Sequence, residues 1–91
     1  MELQIDRVVA VDGAEATVTV RCLSGPVSRD ARVTGFGGSE TIDLRVARIL
    51  VYGHDVEALD SGVTALVTLH GEDVRRLRSG TPTDGWQVLS G

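Results

Sequence analysis

The chain has 91 residues, of which 42% are apolar, and thirteen acidic side chains against nine arginines give it a formal net charge of −4. That length fits a single domain with one core, and three aromatic residues with an acidic balance argue against base stacking and against attraction to polyphosphate or anionic membranes. The single cysteine excludes an intramolecular disulfide, and because neither a charged leader nor a bilayer-long apolar run is present, we expect a cytoplasmic protein with no membrane partner.

The first two predicted elements are strands, because apolar and polar residues alternate with a period of two. In the first, residues 1–11, one phase is apolar: Leu3, Ile5, Val9 and Val11. In the second, which begins at Ala14, the apolar phase is cleaner: Ala16, Val18, Val20 and Cys22. Asp12-Gly13 favours a tight hairpin between them, and Ser24-Gly25-Pro26 ends the second strand. The pattern predicts a hairpin with one buried face, in which Cys22 is an inert core thiol.

A glycine-rich loop, 35–39, lies between the third and fourth predicted strands, 31–34 and 41–52. Its backbone N–H groups could cradle an anion, but phosphate loops usually lead into a helix and this one leads into a strand, so we interpret it as a hairpin connection. The fourth strand changes its apolar phase between Val46 and Ile49, which predicts a bulge near Ala47-Arg48.

The segment 61–80 combines a strand with one turn of helix. Its strand runs to His70, a helical turn spans 72–79, and Val74 and Leu77 share one face of that turn. We expect these two side chains to plug the end of a barrel, and a last strand at 86–89. The whole pattern predicts an all-β fold: a small closed antiparallel β-barrel of six or seven strands with one short helical turn, occupying residues 1–91 as a single domain.

Two segments carry a resemblance to a known family. Residues 23–35, with the sequence LSGPVSRDARVTG, stand where that family has a glycine-valine-x-x-glycine-aspartate-x-valine element. Residues 59–80, with the sequence LDSGVTALVTLHGEDVRRLRSG, stand where that family has a second element. This element reads alanine-glycine-x-x-valine-x-leucine, then glycine, then isoleucine-x-x-glycine. Together with the early hairpin, these segments resemble the β-barrel second domain of translational GTPases such as elongation factor Tu and initiation factor Two. The resemblance implies that fold for nearly the whole chain, standing alone without the GTPase domain.

The same resemblance implies less about activity. The 91 residues hold no Gly-x-x-x-x-Gly-Lys-Ser/Thr loop, so we expect no nucleotide hydrolysis. In elongation factor Tu the barrel holds the aminoacylated end of tRNA with a glutamate, an arginine and an asparagine. The equivalent positions here are Leu50, Gly53 and Thr64, which lack charged and amide groups. The resemblance therefore does not extend to tRNA-end binding.

The loop after the fourth strand collects candidate metal ligands, with one more on a neighbouring strand: His54, Asp55, Glu57, Asp60 and His70. A catalytic arrangement of Ser61, His54 and Asp55 can also be assembled. Acidic loops more often serve solubility, no spacing matches a known metal motif, and a barrel filled with valine and leucine leaves little space for a polar pocket. We therefore expect no metal, no cofactor and no enzymatic activity.

The predicted helical turn carries the basic cluster of the sequence, Arg75, Arg76 and Arg78. Arginine binds carboxylate and phosphate groups bidentately, so the cluster could dock an acidic partner or RNA, and it could equally be the cationic end of a solvated turn. We interpret the chain as a non-catalytic binding module that engages another protein through an exposed strand edge or this turn. The candidate contacts are Arg75, Arg76, Arg78, His54 and Asp55.

Two other functions stay open. One is an RNA- or ribosome-associated module, which the resemblance suggests and the acidic charge disfavours. The other is a small hydrolase-type enzyme, which would need a concave polar pocket. For the chain itself we expect a monomer or a weak homodimer.

Overall fold

Alternating apolar residues form strands along most of the described chain. The computed structural model describes residues 1–37, 40–77 and 87–91. Its strands are β1 (Glu2–Asp12), β2 (Glu15–Ser24), β3 (Val27–Ser28), β4 (Arg32–Phe36), β5 (Glu40–Val51), β6 (His54–Asp55), β7 (Ala58–Leu59), β8 (Thr64–His70) and β9 (Gln87–Ser90). A 3-10 helix, Glu72–Arg76, follows β8, and no helix in the described residues is long and apolar enough to cross a membrane.

Six of these strands close into a ring. They are hydrogen-bonded in the order β4, β9, β1, β2, β8 and β5, and β4 also pairs with β5, so the sheet returns on itself. Every pairing in the ring is antiparallel. The short β6 adds to β5, and β3 pairs with β7 in a separate two-stranded sheet. The predicted fold, a small all-β antiparallel barrel, is therefore confirmed.

The inward faces of the ring form one apolar core. Its largest fully buried side chains are Leu3, Leu44, Ile49, Leu59, Leu69, Leu89, Val8, Val18, Val20, Val27, Val33 and Val46. Cys22 is also fully buried, as its phase predicts, and no polar or charged side chain is buried among the described residues. Because side chains alternate along each strand, the outward phase carries the groups that can meet a ligand.

The prediction for the second half of β1 is wrong. Val9 is 49% exposed, whereas Val8 is 2% exposed and lies in the core. The ladder between β1 and β2 shifts register between Ile5 and Arg7 and again between Val8 and Ala10. Each shift changes which of the following side chains face inward. Two adjacent valines are compatible with either phase, so local alternation alone does not decide between them.

The predicted bulge in β5 is confirmed. The pairing of β5 with β8 shifts register between Val46 and Arg48, so that Val46 and Ile49 both point into the core. Ala47, between the two registers, is exposed. The first half of β5 pairs with β4 and its end pairs with β6. The bulge thus allows one long strand to border two different parts of the ring.

The 3-10 helix covers one end of the core, as predicted, although it is shorter than the predicted turn. Val74 is fully buried and Leu77 is 4% exposed. The helix packs against β5 and β2, and the backbone N–H of Leu77 donates to the Val74 carbonyl at 3.0 Å. The helix ends at Arg76 because Leu77 has an extended backbone, with φ −88° and ψ 135°. Residues 78–79 of the predicted turn lie outside the described residues.

Candidate binding cleft

A cleft opens where β5 and β8 separate. Their ladder ends at the pair Leu50 and Leu66. Beyond that pair, β5 turns through Tyr52 and Gly53, whose φ angles of +50° and +77° lie in the left-handed region, and the chain returns as β6. The cleft has a volume of about 570 Å³ and is lined by Thr19, Leu50, Tyr52, Gly53, Gly62, Val63, Thr64, Ala65 and Leu66.

The cleft has an apolar base and an aromatic rim. Leu50 and Leu66 are half-buried on the outward phase, because their neighbours Ile49 and Val67 face the core. Tyr52 stands at the rim with 98% of its surface exposed. The nine described residues that line the cleft include no carboxylate, imidazole, guanidinium or thiol group. This lining can therefore bind through apolar contact and hydroxyl hydrogen bonds.

The backbone of Thr64 faces the cleft. Along a strand between two antiparallel neighbours, successive residues direct their N–H and C=O groups to opposite sides. The Val63 carbonyl accepts the Cys22 N–H at 2.9 Å and Ala65 pairs with Val20, so this carbonyl and Ala65 bond towards β2, while the Val63 N–H donates to the Asp60 carbonyl at 3.2 Å. Thr64 lies between them, so its N–H and C=O groups point towards the side of the sheet on which β5 lies. Next to Thr64, however, β5 has already turned away. The N–H and C=O groups of Thr64 thus form a short open strand edge.

Arg21 does not line the cleft, but it lies on β2 directly opposite Thr64, which does. Its side chain is exposed, and among the described residues no carboxylate lies within ion-pair distance of it. Four other exposed arginines do have such a partner, namely Arg29, Arg32, Arg45 and Arg48, whereas Arg7 and Arg75 have none among the described residues. The positive charge of Arg21 is therefore available to a ligand that enters the cleft.

Two of the predicted contact residues, His54 and Asp55, form β6 beside the cleft. Oδ2 of Asp55 accepts a hydrogen bond from Arg48 Nε at 3.3 Å, and its Oδ1 lies 3.9 Å from Arg29 Nη1. Exposed pairs of this kind contribute roughly 0–1 kcal/mol each. The carboxylate therefore already has two cationic neighbours within the chain, Arg48 and Arg29, and contact of His54 or Asp55 with a partner stays a prediction.

Two arginines of the predicted cluster, Arg75 and Arg76, lie elsewhere on the surface. Arg76 Nη1 donates to the Thr41 carbonyl at 3.0 Å, and Arg75 is exposed, while Arg78 lies outside the described residues. The 3-10 helix is tied to the beginning of β5, whereas β6 pairs with the end of that strand. The structure therefore does not bring the helix arginines and the β6 residues into one surface, and their roles in binding stay predictions.

Other polar residues singled out in the sequence have structural contacts. Ser61 Oγ accepts the backbone N–H of Gly25 at 2.9 Å, next to the end of β2. The Cys22 Sγ lies 3.8 Å from the Leu59 carbonyl, and burial raises the pKa of this thiol. In the described part of the chain, no three His, Cys, Asp or Glu side chains are grouped so that they could hold a metal ion. Part of the glycine-rich loop, residues 38–39, lies outside the described residues.

The fold has counterparts among solved structures. Two structures of translation elongation factor SelB from Methanococcus maripaludis, one in complex with the GTP analogue GppNHp and one in the apo form, are similar to this chain, each with a TM-score of 0.76 and 17% sequence identity. Each similarity covers 98% of this chain and 18% of that factor. No family model matches the sequence, and no curated protein matches it. The similarity shows that the chain has the fold of a β domain from a translational GTPase, which confirms the fold resemblance of residues 23–35 and 59–80.

Leu50, Gly53 and Thr64 all line the cleft. By the resemblance, these are the positions equivalent to the tRNA-end contacts of elongation factor Tu. They offer an apolar side chain, a glycine and a hydroxyl, so the cleft differs chemically from a pocket of charged and amide groups. Tyr52 and Leu66 were not singled out in the sequence. A signal for the cleft is nevertheless present, because Leu50 and Leu66 are leucines on the outward phase of strands whose inward phase is already apolar.

Proposed function

We propose that this chain is a non-catalytic binding module for another protein, and that the cleft between β5 and β8 holds a segment of that partner. The observation that carries the proposal is Tyr52, a large aromatic side chain that is 98% exposed at the rim of a concave apolar surface. Tyrosine is enriched among the residues that dominate interface energies, since its ring supplies apolar area and its hydroxyl a hydrogen bond.

The backbone at Tyr52 supports the same proposal. A non-glycine residue in the left-handed region costs roughly 1–3 kcal/mol, and such residues cluster at ligand-contacting positions. With φ at +50°, Tyr52 leaves the direction of β5 and holds its ring away from the core. A ring held in this way loses little further freedom when a partner covers it, because a tyrosine side chain has only two rotatable bonds.

The groups that line the cleft favour binding without catalysis. Proton transfer and nucleophilic attack commonly use an imidazole, a carboxylate, an amine or a thiol within reach of the substrate. The described lining offers the hydroxyl groups of Thr19, Tyr52 and Thr64. The thiol of Cys22 is buried in the core. We therefore assign the cleft a binding role and no enzymatic one.

A second candidate function is an RNA- or ribosome-associated module. The similarity in fold to part of a translation elongation factor favours it. The net charge of −4 opposes it, because binding to phosphates depends on clustered cations. Sedimentation with ribosomes at low salt tests this candidate. It predicts salt-sensitive retention that the double change Arg75→Ala with Arg78→Ala weakens, and an absence of retention would remove it.

A peptide-display selection tests the protein-binding proposal. The full 91-residue chain is immobilised, peptides of eight random residues are selected on it, and the affinity of the best synthetic peptide is measured by fluorescence anisotropy. We expect Tyr52→Ser and Leu66→Asn to weaken binding about tenfold or more, the loss typical of a dominant interface residue. Val9→Asn, which removes an exposed apolar side chain outside the cleft, is the matched control and should change affinity less than about twofold. Equal effects of the three changes, or no enriched peptide, would contradict the proposal.

A further inference from the structure

We infer that the cleft binds its partner as an added β-strand, through paired backbone hydrogen bonds to Thr64, and that the bound segment carries an acidic residue between two apolar ones. This inference rests on the proposed protein-binding function and specifies the chemistry of the partner. Three features carry it: the open backbone edge at Thr64, the partly buried Val51 and Val63 beside it, and the charge of Arg21, which has no carboxylate partner among the described residues.

At the open edge, the sheet lacks the strand that a continuation of β5 would supply. Continued by two residues beyond the pair Leu50 and Leu66, the ladder of β5 and β8 would place Tyr52 opposite Thr64. The left-handed backbone of Tyr52 prevents this pairing, so β5 leaves the line of the sheet. An extended peptide that follows this line can donate to the Thr64 carbonyl and accept from its N–H, which is the recognition mode called β-augmentation.

The residues on either side of the peptide's pairing residue would point inward, as alternate residues of a strand do. Beside the open edge, the inward phases of β5 and β8 end at Val51 and Val63, which are partly buried and pack against the core. They leave apolar surface accessible at the end of the ring where the two strands separate. The two flanking residues of the bound segment are therefore expected to be apolar.

The pairing residue itself would point outward, on the face that carries Arg21, Thr64 and Leu66, where the methylene groups of a glutamate can contact Leu66 while its carboxylate reaches towards Arg21. Arg21 lies on the next strand, so its Cα and that of the pairing residue are about 10 Å apart, or two strand spacings. The lengths of an arginine and a glutamate side chain together span that distance. Because no carboxylate of the described residues lies within ion-pair distance of Arg21, an acidic side chain on the peptide complements it.

The same features favour a peptide over a nucleic acid. A phosphate could meet Arg21, but the Thr64 carbonyl is an acceptor and would repel a phosphate oxygen brought to the open edge. A peptide backbone supplies both a donor and an acceptor with strand spacing. The edge therefore selects for an extended polypeptide chain.

The test is an N-methyl scan of the best peptide from the display selection, measured against the full chain. We expect an acidic residue between two apolar ones, and a loss of affinity of about tenfold when the amide of that acidic residue is methylated, because the hydrogen bond to Thr64 is lost. Methylation of either neighbouring amide should cost less than about threefold, since those N–H groups point away from β8.

A charge exchange tests the role of Arg21. Arg21→Glu should lower the affinity for the acidic peptide about tenfold. A peptide with arginine in place of the acidic residue should bind this variant more tightly than it binds the wild-type chain. Arg75→Glu, the same charge change on an exposed arginine of the 3-10 helix, should leave the affinity within about twofold.

The outcomes separate the two proposals. Strand addition is overturned if binding depends on Tyr52 and Leu66 but methylation of no single amide lowers the affinity of the peptide. The proposed protein-binding function would be unaffected by that result. Binding insensitive to Arg21→Glu would overturn the acidic residue in the segment. If no peptide is enriched at all, both the inference and the proposed function fail.

Discussion

Asp73 fastens the 3-10 helix to the ring, because its Oδ2 accepts the backbone N–H of Asp43 in β5 at 2.7 Å. The bond joins residues thirty positions apart in the chain. The Arg76 guanidinium adds a second bond to β5, at the Thr41 carbonyl. These polar contacts surround the buried side chain of Val74 and hold it over the end of the core.

Removal of the Asp73 carboxylate should lower stability measurably. We expect Asp73→Ala to reduce the free energy of unfolding by about 1 kcal/mol, since a charge-assisted hydrogen bond to a backbone N–H is lost. For a domain of this size the change corresponds to a fall in Tm of about 4–8 °C. Glu72→Ala, at an exposed neighbouring position, is the control and should shift Tm by less than half as much. Equal shifts would show that the bond to Asp43 contributes nothing.

Truncation of Leu77 should be more costly. This side chain is 4% exposed, so we expect Leu77→Ala to lower the free energy of unfolding by about 2–4 kcal/mol in urea denaturation. Leu77→Asp should destabilise more strongly still, because it buries an unpaired charge. Arg75→Ala, at an exposed position of the same helix, should change the urea midpoint little. An unchanged midpoint for Leu77→Asp would mean that the helix does not cover the core.

Gly71 and Gly62 differ in the space that surrounds an added Cβ. Both have positive φ, at +146° and +85°, but an added Cβ at Gly71 would lie 2.8 Å from the Asp43 carbonyl oxygen, whereas nothing lies within 4 Å at Gly62. We expect Gly62→Ala to cost about 1–2 kcal/mol from its backbone alone. Gly71→Ala should cost at least about 1 kcal/mol more in the same urea assay, because β5 must shift. Equal costs would contradict the close approach of Gly71 to β5.

The buried thiol of Cys22 predicts a pH dependence of stability. Burial raises the pKa of this thiol in the folded chain above that of the unfolded chain, so the folded state retains its proton at a pH where the unfolded state loses it. The resulting contribution to stability is complete below the ordinary cysteine pKa of about 8.5 and declines as the pH rises beyond it. Urea midpoints from pH 7 to 10 should therefore fall more steeply for the wild-type chain than for Cys22→Ala. Parallel profiles would contradict a buried, protonated thiol.

Local alternation was sufficient to predict much of the ring. In β2, one phase from Ala16 to Cys22 is apolar and the other polar, and the structure buries that apolar phase. In β5 the change of apolar phase between Val46 and Ile49 indicated a bulge or a bend, and the structure has a bulge there. Closure of the ring depends on pairings between distant segments, such as β1 with β9; a closed barrel was predicted, but this particular pairing was not.

Sequence reasoning failed where local patterns are degenerate. The adjacent Val8 and Val9 fit either phase, so the register shifts of β1 could not be seen. The cleft was missed for a different reason: the sequence places Leu50 and Leu66 on the outward phases of their strands, but that the two meet at one surface is apparent only after the strands are paired. The open edge at Thr64 requires knowledge of where β5 turns away, which is set by the backbone of Tyr52.

The most direct test of the binding account is the amide spectrum of the 15N-labelled chain with and without the selected peptide. We predict that the changes in amide chemical shift are concentrated at Arg21, Tyr52, Thr64 and Leu66. We also predict that the Thr64 amide becomes protected from hydrogen exchange in the complex. Shifts concentrated on the 3-10 helix around Arg75, with the Thr64 amide exchanging as fast as in the free chain, would contradict this account.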